Sequence, residues 1–276
     1  MKPSICLGTA QLGMNYGITN TYGKTQIEEA KSIFKICSNN EIKYIDTAQS
    51  YGNSEEVIGK CIPNKNDFKL ISKLTLNTKL NWDKNSVKEW EKSFQKTLNN
   101  LKVKNIDSFL IHNPKDLNNY EKEILLQWLN SLKDRKLLKR IGISIYESNE
   151  LDNLPLEAFQ IIQVPLSIYD QRILRDGTIN KLAKNGFDIH VRSVFLQGLV
   201  LQSSDNWPEF LSSGFKSHHF KVAKYCHNNN LTLLDFALGF VKRFKQIEAT
   251  VIGVNTGSHL KNILSSWSKD INNKIF

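Results

Sequence analysis

A chain of 276 residues in which 40% are hydrophobic and 10% aromatic holds ample material for a packed core, which excludes disorder for the bulk of it. The net charge of +10 is spread along the chain, with acids interleaved and no Lys/Arg run of five. It reads as a diffuse field that solubilises the protein or attracts phosphorylated small molecules, and it excludes a nucleic-acid footprint. No apolar run approaches the roughly 18 residues that span a bilayer, and the opening MKPSICLGTAQLG has too short an apolar patch for a secretory segment, so a soluble, cytoplasmic protein without membrane contact is expected.

In chain order, β-type runs occur at Ile5–Thr9, Lys43–Thr47, Phe68–Leu74, Ile106–His112, Arg140–Ile145, Phe159–Pro165, Phe187–Val194 and Ala249–Gly253. Several are continuously apolar, as expected of parallel strands covered on both faces. The stretches between them read as helices. Thr25 with Glu28 predicts a cap, followed by an apolar face of Ile27, Ala30, Phe34 and Cys37. Ser86 with Glu89 predicts a second cap, ahead of Val87, Trp90, Phe94, Leu98 and Leu101. Ile124, Trp128 and Leu132 form another stripe, and Thr232 with Asp235 opens a helix through LLDFALGFVKRF. Three longer loops stand out: Asn77–Asn85, Asn113–Asn119 and Leu196–Ser217.

Eight strands alternating with helices is the pattern of an α/β fold of the (β/α)8 TIM barrel type, here as a single domain over 1–276. An open doubly wound sheet is the competitor, weakened because LGTAQLG stands where GxGxxG would follow the first strand. Cys6, Cys37, Cys61 and Cys226 are scattered without metal-ligand spacing, so reduced thiols and no metal site are expected.

In such a barrel the C-terminal strand ends carry the chemistry. The polar residues there are Asp46, Lys73, His112, Ser144, Gln163 and Arg192, and Tyr51 follows Asp46 in the loop before a helix starting near Asn53 and Ser54. Each has a structural alternative: Asp46 as a turn cap, His112 as a core histidine, Tyr51 as a packing residue. Together they fit one mechanism. An ammonium near a phenol favours its ionised form, a carboxylate keeps the ammonium charged, and an imidazole opposite can orient a carbonyl. With no GxSxG nucleophile pattern and no metal spacing, a carbonyl activated this way needs an external electron pair, which points to hydride from a nicotinamide.

The segment DTAQSYGNSEEVIG, Asp46 to Gly59, resembles the D-x-A-x-x-Y-G-x-S-E signature of the aldo-keto reductase superfamily. LISKL, SFLIHNP, RIGIS, FQIIQVPLS, HVRSVFLQGLV and ATVIGV follow in order, so the resemblance covers essentially the whole chain. It implies reduction of an aldehyde or ketone, with Tyr51 as proton donor, Asp46 and Lys73 tuning it and His112 aligning the carbonyl. It implies cofactor contacts at Gly8, Thr9, Ser144, Gln163, Arg192, Ser193, Gly253, Asn255, Thr256, His259 and Asn262, with NADPH, or else NADH, as the cofactor and a monomer as the working unit.

Three departures stand against the resemblance. Ile145 replaces an Asn common after the strand 5 serine, and Arg192 replaces a Tyr that stacks under the nicotinamide. The strand 8 loop offers His259 and Lys261 but no Arg for a 2′-phosphate. The chain ends soon after its last helix, which with Trp82, Trp207, Phe210 and Arg192 near the rim suggests an open pocket for a polar, sugar-derived or phosphorylated carbonyl compound. Two alternatives stay open on the same scaffold: a sugar dehydrogenase or redox-coupled isomerase, and a non-catalytic cofactor-binding subunit.

Overall fold

The parity of the strand residues decides what the barrel holds and where. In the computed structural model, which describes residues 3–76, 82–118, 122–152 and 154–272, the strands are β1 (Ser4–Gly8), β2 (Tyr44–Asp46), β3 (Lys69–Leu74), β4 (Ile106–Ile111), β5 (Leu138–Ser144), β6 (Ile161–Pro165), β7 (Asp188–Arg192) and β8 (Ala249–Gly253). All pair in parallel, in sequence order, and β8 closes on β1. Each expected run overlaps its strand, with ends within two residues.

Successive strand side chains point to opposite faces. One parity (Leu7, Ile45, Leu70, Phe109, Ile141, Ile162, Ile189, Ile252) joins the large shell core beneath the helices. The other parity fills the barrel interior, where Cys6, Tyr44, Ile71, Leu110, Ile161 and Ala249 form a separate apolar layer. Two residues further along the same strands, and four along β8, the inward parity brings Gly8, Asp46, Lys73, His112, Gln163 and Gly253 to the C-terminal mouth, and Ser144 and Arg192 lie on that parity too.

The helices are α1 (Ile27–Asn39), α2 (Ser54–Cys61), α3 (Lys84–Leu101), α4 (Lys122–Asp134), α5 (Thr178–Lys184), α6 (Ser213–Asn228), α7 (Leu233–Lys242) and α8 (Gly257–Ser268), with one-turn helices at Ala10–Gly13 and Arg172–Arg175. The apolar stripes are core faces as expected: α3 buries Trp90, Phe94, Leu98 and Leu101. The Thr232–Asp235 capping box forms, whereas two other caps differ from expectation. α1 starts at Ile27 with Gln26 in the N-cap position and no side-chain cap bond, and Thr25, one residue outside, donates its hydroxyl to Asn255 O at 3.2 Å. α3 begins a turn early, with Asp83 accepting from the Asn85 and Ser86 amides and Ser86 returning a bond to the Asp83 amide.

The long segment after β7 is shorter than expected, since α6 starts at Ser213 and two 3-10 turns occupy Leu196–Leu201 and Ser204–Asn206. Of the other two loops, residues 77–81 and Asn119 lie outside the described residues. Among the described residues no helix is long and apolar enough to cross a membrane, and no three His, Cys, Asp or Glu side chains are grouped to hold a metal ion. All four cysteines are buried and unpaired.

Candidate active site

At the mouth, Lys73 is 1% exposed and its ammonium is bonded to the Asp46 carboxylate and, at 3.0 Å, to Thr47 O. The second Asp46 oxygen accepts from Gln163 Nε2 at 2.8 Å. Burial alone would lower the Lys73 pKa, but the Asp46 charge and the Tyr51 oxygen outweigh it and raise it, so the ammonium persists at neutral pH. Lys73 Nζ lies 5.3 Å from the centre of the Tyr51 ring, and the Tyr51 and His112 rings meet edge to face at 5.8 Å.

The chain holds Tyr51 in place from several directions. Asp46 O accepts from both the amide and the hydroxyl of Thr9, and the Ser54 hydroxyl links Thr9 to Thr47. Gln49 ties the loop to α3 through Thr97 at 3.0 Å and accepts from the Thr75 amide. The Ala10–Gly13 turn presses against the loop so closely that a Cβ on Gly13 would lie 1.7 Å from Tyr51 O, and one on Gly52, whose φ is +56°, would lie 2.3 Å from Gly13 O. Tyr51 itself keeps its hydroxyl free of any bond to a described residue.

His112 is held by a partner the sequence did not single out: Ser50 Oγ lies 3.1 Å from Nδ1. Burial, aided by the Lys73 charge, pushes the His112 pKa down to about 4, so the ring is neutral at pH 7. Two other aromatic residues line this mouth without a motif to announce them. Tyr16, after β1, has its phenol pushed up by burial and by Tyr51, and Tyr146, after β5, stacks on the Arg192 guanidinium at 4.1 Å.

The expected cofactor residues divide into two groups. Arg192 donates to Ser144 Oγ (3.2 Å), Ser193 Oγ (3.2 Å) and Ile145 O (3.0 Å), so these four form one cluster beside Gln163. The Ser144 hydroxyl proton and Gln163 Oε1 have no bond to a described residue, which leaves one donor and one acceptor side by side. Thr9 is fully buried and its hydroxyl is spent on Asp46. Gly8 pairs with both Asp46 and Gly253, and a Cβ there would meet Val251 at 3.1 Å. At the far end, Thr256 caps α8 by accepting from the His259 amide (3.1 Å), Asn255 donates to Gly23 O, and the His259 ring meets Tyr22 edge-on. Asn262 is exposed on α8.

The sequence matches the description "Aldo/keto reductase family" over residues 4–275. The chain belongs to the aldo/keto reductase family. It is therefore an oxidoreductase of the carbonyl-reducing kind. Solved aldo-keto reductase folds superpose on it closely. One from Bacillus halodurans, in its holo form, aligns with a TM-score of 0.77 at 18% identity over 98% of this chain and 88% of that one. The glycerol dehydrogenase of Gluconobacter oxydans gives 0.74 at 19% over 98% and 88%. A thermostable aldo-keto reductase in complex with the inhibitor epalrestat gives 0.72 at 24% over 99% and 92%. No curated protein sequence matches the chain.

Within the aldo/keto reductase frame, the rim residues sort into packing and exposed surface. Trp82 packs edge-on against Trp90, and Trp207 stacks on His219 at 4.4 Å while donating to Leu199 O, so both are buried loop anchors. Phe210 is 79% exposed. The Ile145 side chain lies in the shell core. The loops after β1 and β7 meet across the mouth, with Thr19 Oγ1 donating to Gln197 O at 3.4 Å and packed against Gly198.

Proposed function

We propose that the chain catalyses NAD(P)H-dependent reduction of an aldehyde or ketone, with Tyr51 as the proton donor. A bound nicotinamide supplies the hydride that the carbonyl carbon requires. The observation that carries the reading is the Tyr51 phenol: its hydroxyl has no partner among the described residues, and its ring centre lies 5.3 Å from a buried ammonium that stays charged and its ring meets a neutral imidazole edge to face.

The chain's own residues account for the rest of the chemistry. In the tautomer in which Nδ1 accepts from Ser50 Oγ, His112 presents Nε2–H as a donor to the substrate oxygen, and Tyr51 delivers its proton to that oxygen as charge develops. Lys73 stabilises the phenolate left behind, and Asp46, fixed by Gln163, holds Lys73 in line. Ser144 and Gln163 Oε1 offer the donor and acceptor that a carboxamide needs, and Arg192, backed by Tyr146, supplies a flat cationic surface in the place of an aromatic one. The open Ser258 amide at the start of α8 suits the adenosine end. A polar, hydroxylated or phosphorylated carbonyl compound fits a mouth that carries Arg192.

The test follows loss of NADPH and of NADH against a panel of aldehydes, ketoses and sugar phosphates. Tyr51→Phe is expected to cut turnover on the order of 10²–10⁴-fold, the range of general acid catalysis, and to leave dinucleotide binding unchanged. Undiminished turnover in that variant would overturn the mechanism.

A further inference from the structure

The start of α8 is already in contact with an acid. Glu29, in the first turn of α1, accepts a hydrogen bond from the Gly257 amide through Oε1. The contact is part of the packing of the two helices: a Cβ on Gly257 would stand 2.9 Å from Ile36 Cδ1, 3.2 Å from Ser32 Oγ and 3.4 Å from Glu29 Oε1, so α8 starts close against the side chains of α1. The His259 amide is taken by Thr256, which leaves the Ser258 amide without a partner among the described residues.

The surrounding cations do not compensate Glu29. Lys31 is paired with Glu28 at 2.7 Å, Lys24 is bonded to Asn53, and no described Lys, Arg or His lies within ion-pair distance of Glu29. No Arg occurs between Gly253 and Asn262, and the Asn255 amide is used on Gly23 O.

We propose that Glu29 selects the dinucleotide, making the adenosine end of the site fit a ribose with a free 2′-hydroxyl, so that NADH binds in preference to NADPH. The inference rests on the reading of a nicotinamide dinucleotide as cofactor and reverses the preference that the family resemblance implies. Glu29 Oε2 has no bond to a described residue and can accept from a ribose hydroxyl, the same use of an acid that dinucleotide sites of other folds make. A 2′-phosphate would bring a second anion against a carboxylate with no cationic partner among the described residues, with one open amide, His259 and Lys261 but no Arg to receive it.

The experiment is equilibrium binding to the purified full chain, by quenching of intrinsic tryptophan fluorescence, with NADH, NADPH, 5′-AMP and 2′,5′-ADP as probes. Wild type is expected to bind NADH at least about tenfold (about 1.4 kcal/mol) more tightly than NADPH, and 5′-AMP more tightly than 2′,5′-ADP. Glu29→Gln keeps an acceptor for the Gly257 amide and removes the charge. It should tighten NADPH by roughly tenfold while NADH changes by less than about threefold. NADPH binding to wild type as tightly as NADH, or an unchanged ratio in Glu29→Gln, overturns the proposal and leaves the reductase reading standing. If neither dinucleotide binds wild type, both fall. Should Glu29→Gln fail to fold, the wild-type ratios for the two dinucleotides and the two fragments still decide the matter.

Discussion

The two ends of the barrel carry the same four kinds of side chain in nearly the same arrangement. At the mouth stand Asp46, Lys73, Tyr51 and His112. At the floor stand Glu248, Lys69, Tyr44 and His190, with Lys69 Nζ 4.7 Å from the Tyr44 ring centre and the Tyr44 and His190 rings edge to face at 5.3 Å. The difference lies in what each group still has to offer. Tyr44 donates to Glu248 Oε1 at 2.6 Å and accepts from Lys69 at 2.9 Å. Glu248 also takes His190 Nε2 and Arg140, and Arg140 reaches Asp107 and Asp188 as well. Burial opposes the charge on Glu248, yet its hydrogen bonds and Arg140 hold the carboxyl well below its usual range. The floor is a bonded circuit that ties strands together, and the atom it leaves over, His190 Nδ1, is buried in the barrel rather than open to the mouth. At the mouth the phenol is left over. An acid, a cation, a phenol and an imidazole do not by themselves make a reaction centre; unspent bonding capacity, facing outward from strand C-termini, does.

Matched substitutions at the two ends sharpen that contrast. The largest effect is expected from Lys73→Met, which strands a buried carboxylate: stability falls by about 3–5 kcal/mol in chemical denaturation, and turnover of the folded fraction falls more than about 100-fold. Lys69→Met, at the exposed edge of the floor, should cost about 1 kcal/mol with turnover intact. Next in size is Tyr44→Phe, which removes a bond to a charged group and should lower stability by about 1.5–3 kcal/mol while leaving kcat/KM unchanged, the opposite of Tyr51→Phe. A kcat/KM loss in Tyr44→Phe comparable to that of Tyr51→Phe would erase the distinction between the ends.

The smallest effect concerns pH. His112 titrates at about 4 in the folded chain, below the ordinary histidine value near 6.5. Its neutral form therefore persists as pH falls through 6.5, and the stability it contributes is complete above that value and lost as pH falls toward 4. The acid limb of kcat/KM should be centred near 4 and absent near 6.5. A limb near 6.5 would mean that the imidazole is solvated rather than buried.

The barrel and the mouth tetrad were legible in the sequence for a simple reason. Strand periodicity is local, and Asp46, Lys73 and His112 each end a readable apolar run. What stayed hidden depends on pairs distant in the chain. Ser50 gains meaning only once β4 brings His112 beside it. Tyr16 and Tyr146 are single aromatics in loops, and Glu29 reads as an ordinary first-turn acid until α8 docks on α1. The floor cluster drew no notice because Tyr44 and Lys69 begin strands and Glu248 precedes one, where acids and bases look like solvated ends, and His190 is a lone histidine within β7. The Thr25 cap failed because the helix starts one residue later, at Ile27, with Thr25 outside its N-cap and donating to Asn255 O, and the Ser86 cap failed because Asp83 forms its box one turn earlier.

The absence of room between Gly13 and the Tyr51 carbonyl carries a warning for anyone who surveys this enzyme by random mutagenesis. A single methyl added at position 13 touches no substrate, shifts no charge and sits in a different loop, yet it must displace the peptide that aims the phenol. Lost activity in such a variant would report that displaced peptide, and a map of function drawn from inactive clones alone would wrongly credit a glycine with a part in the reaction.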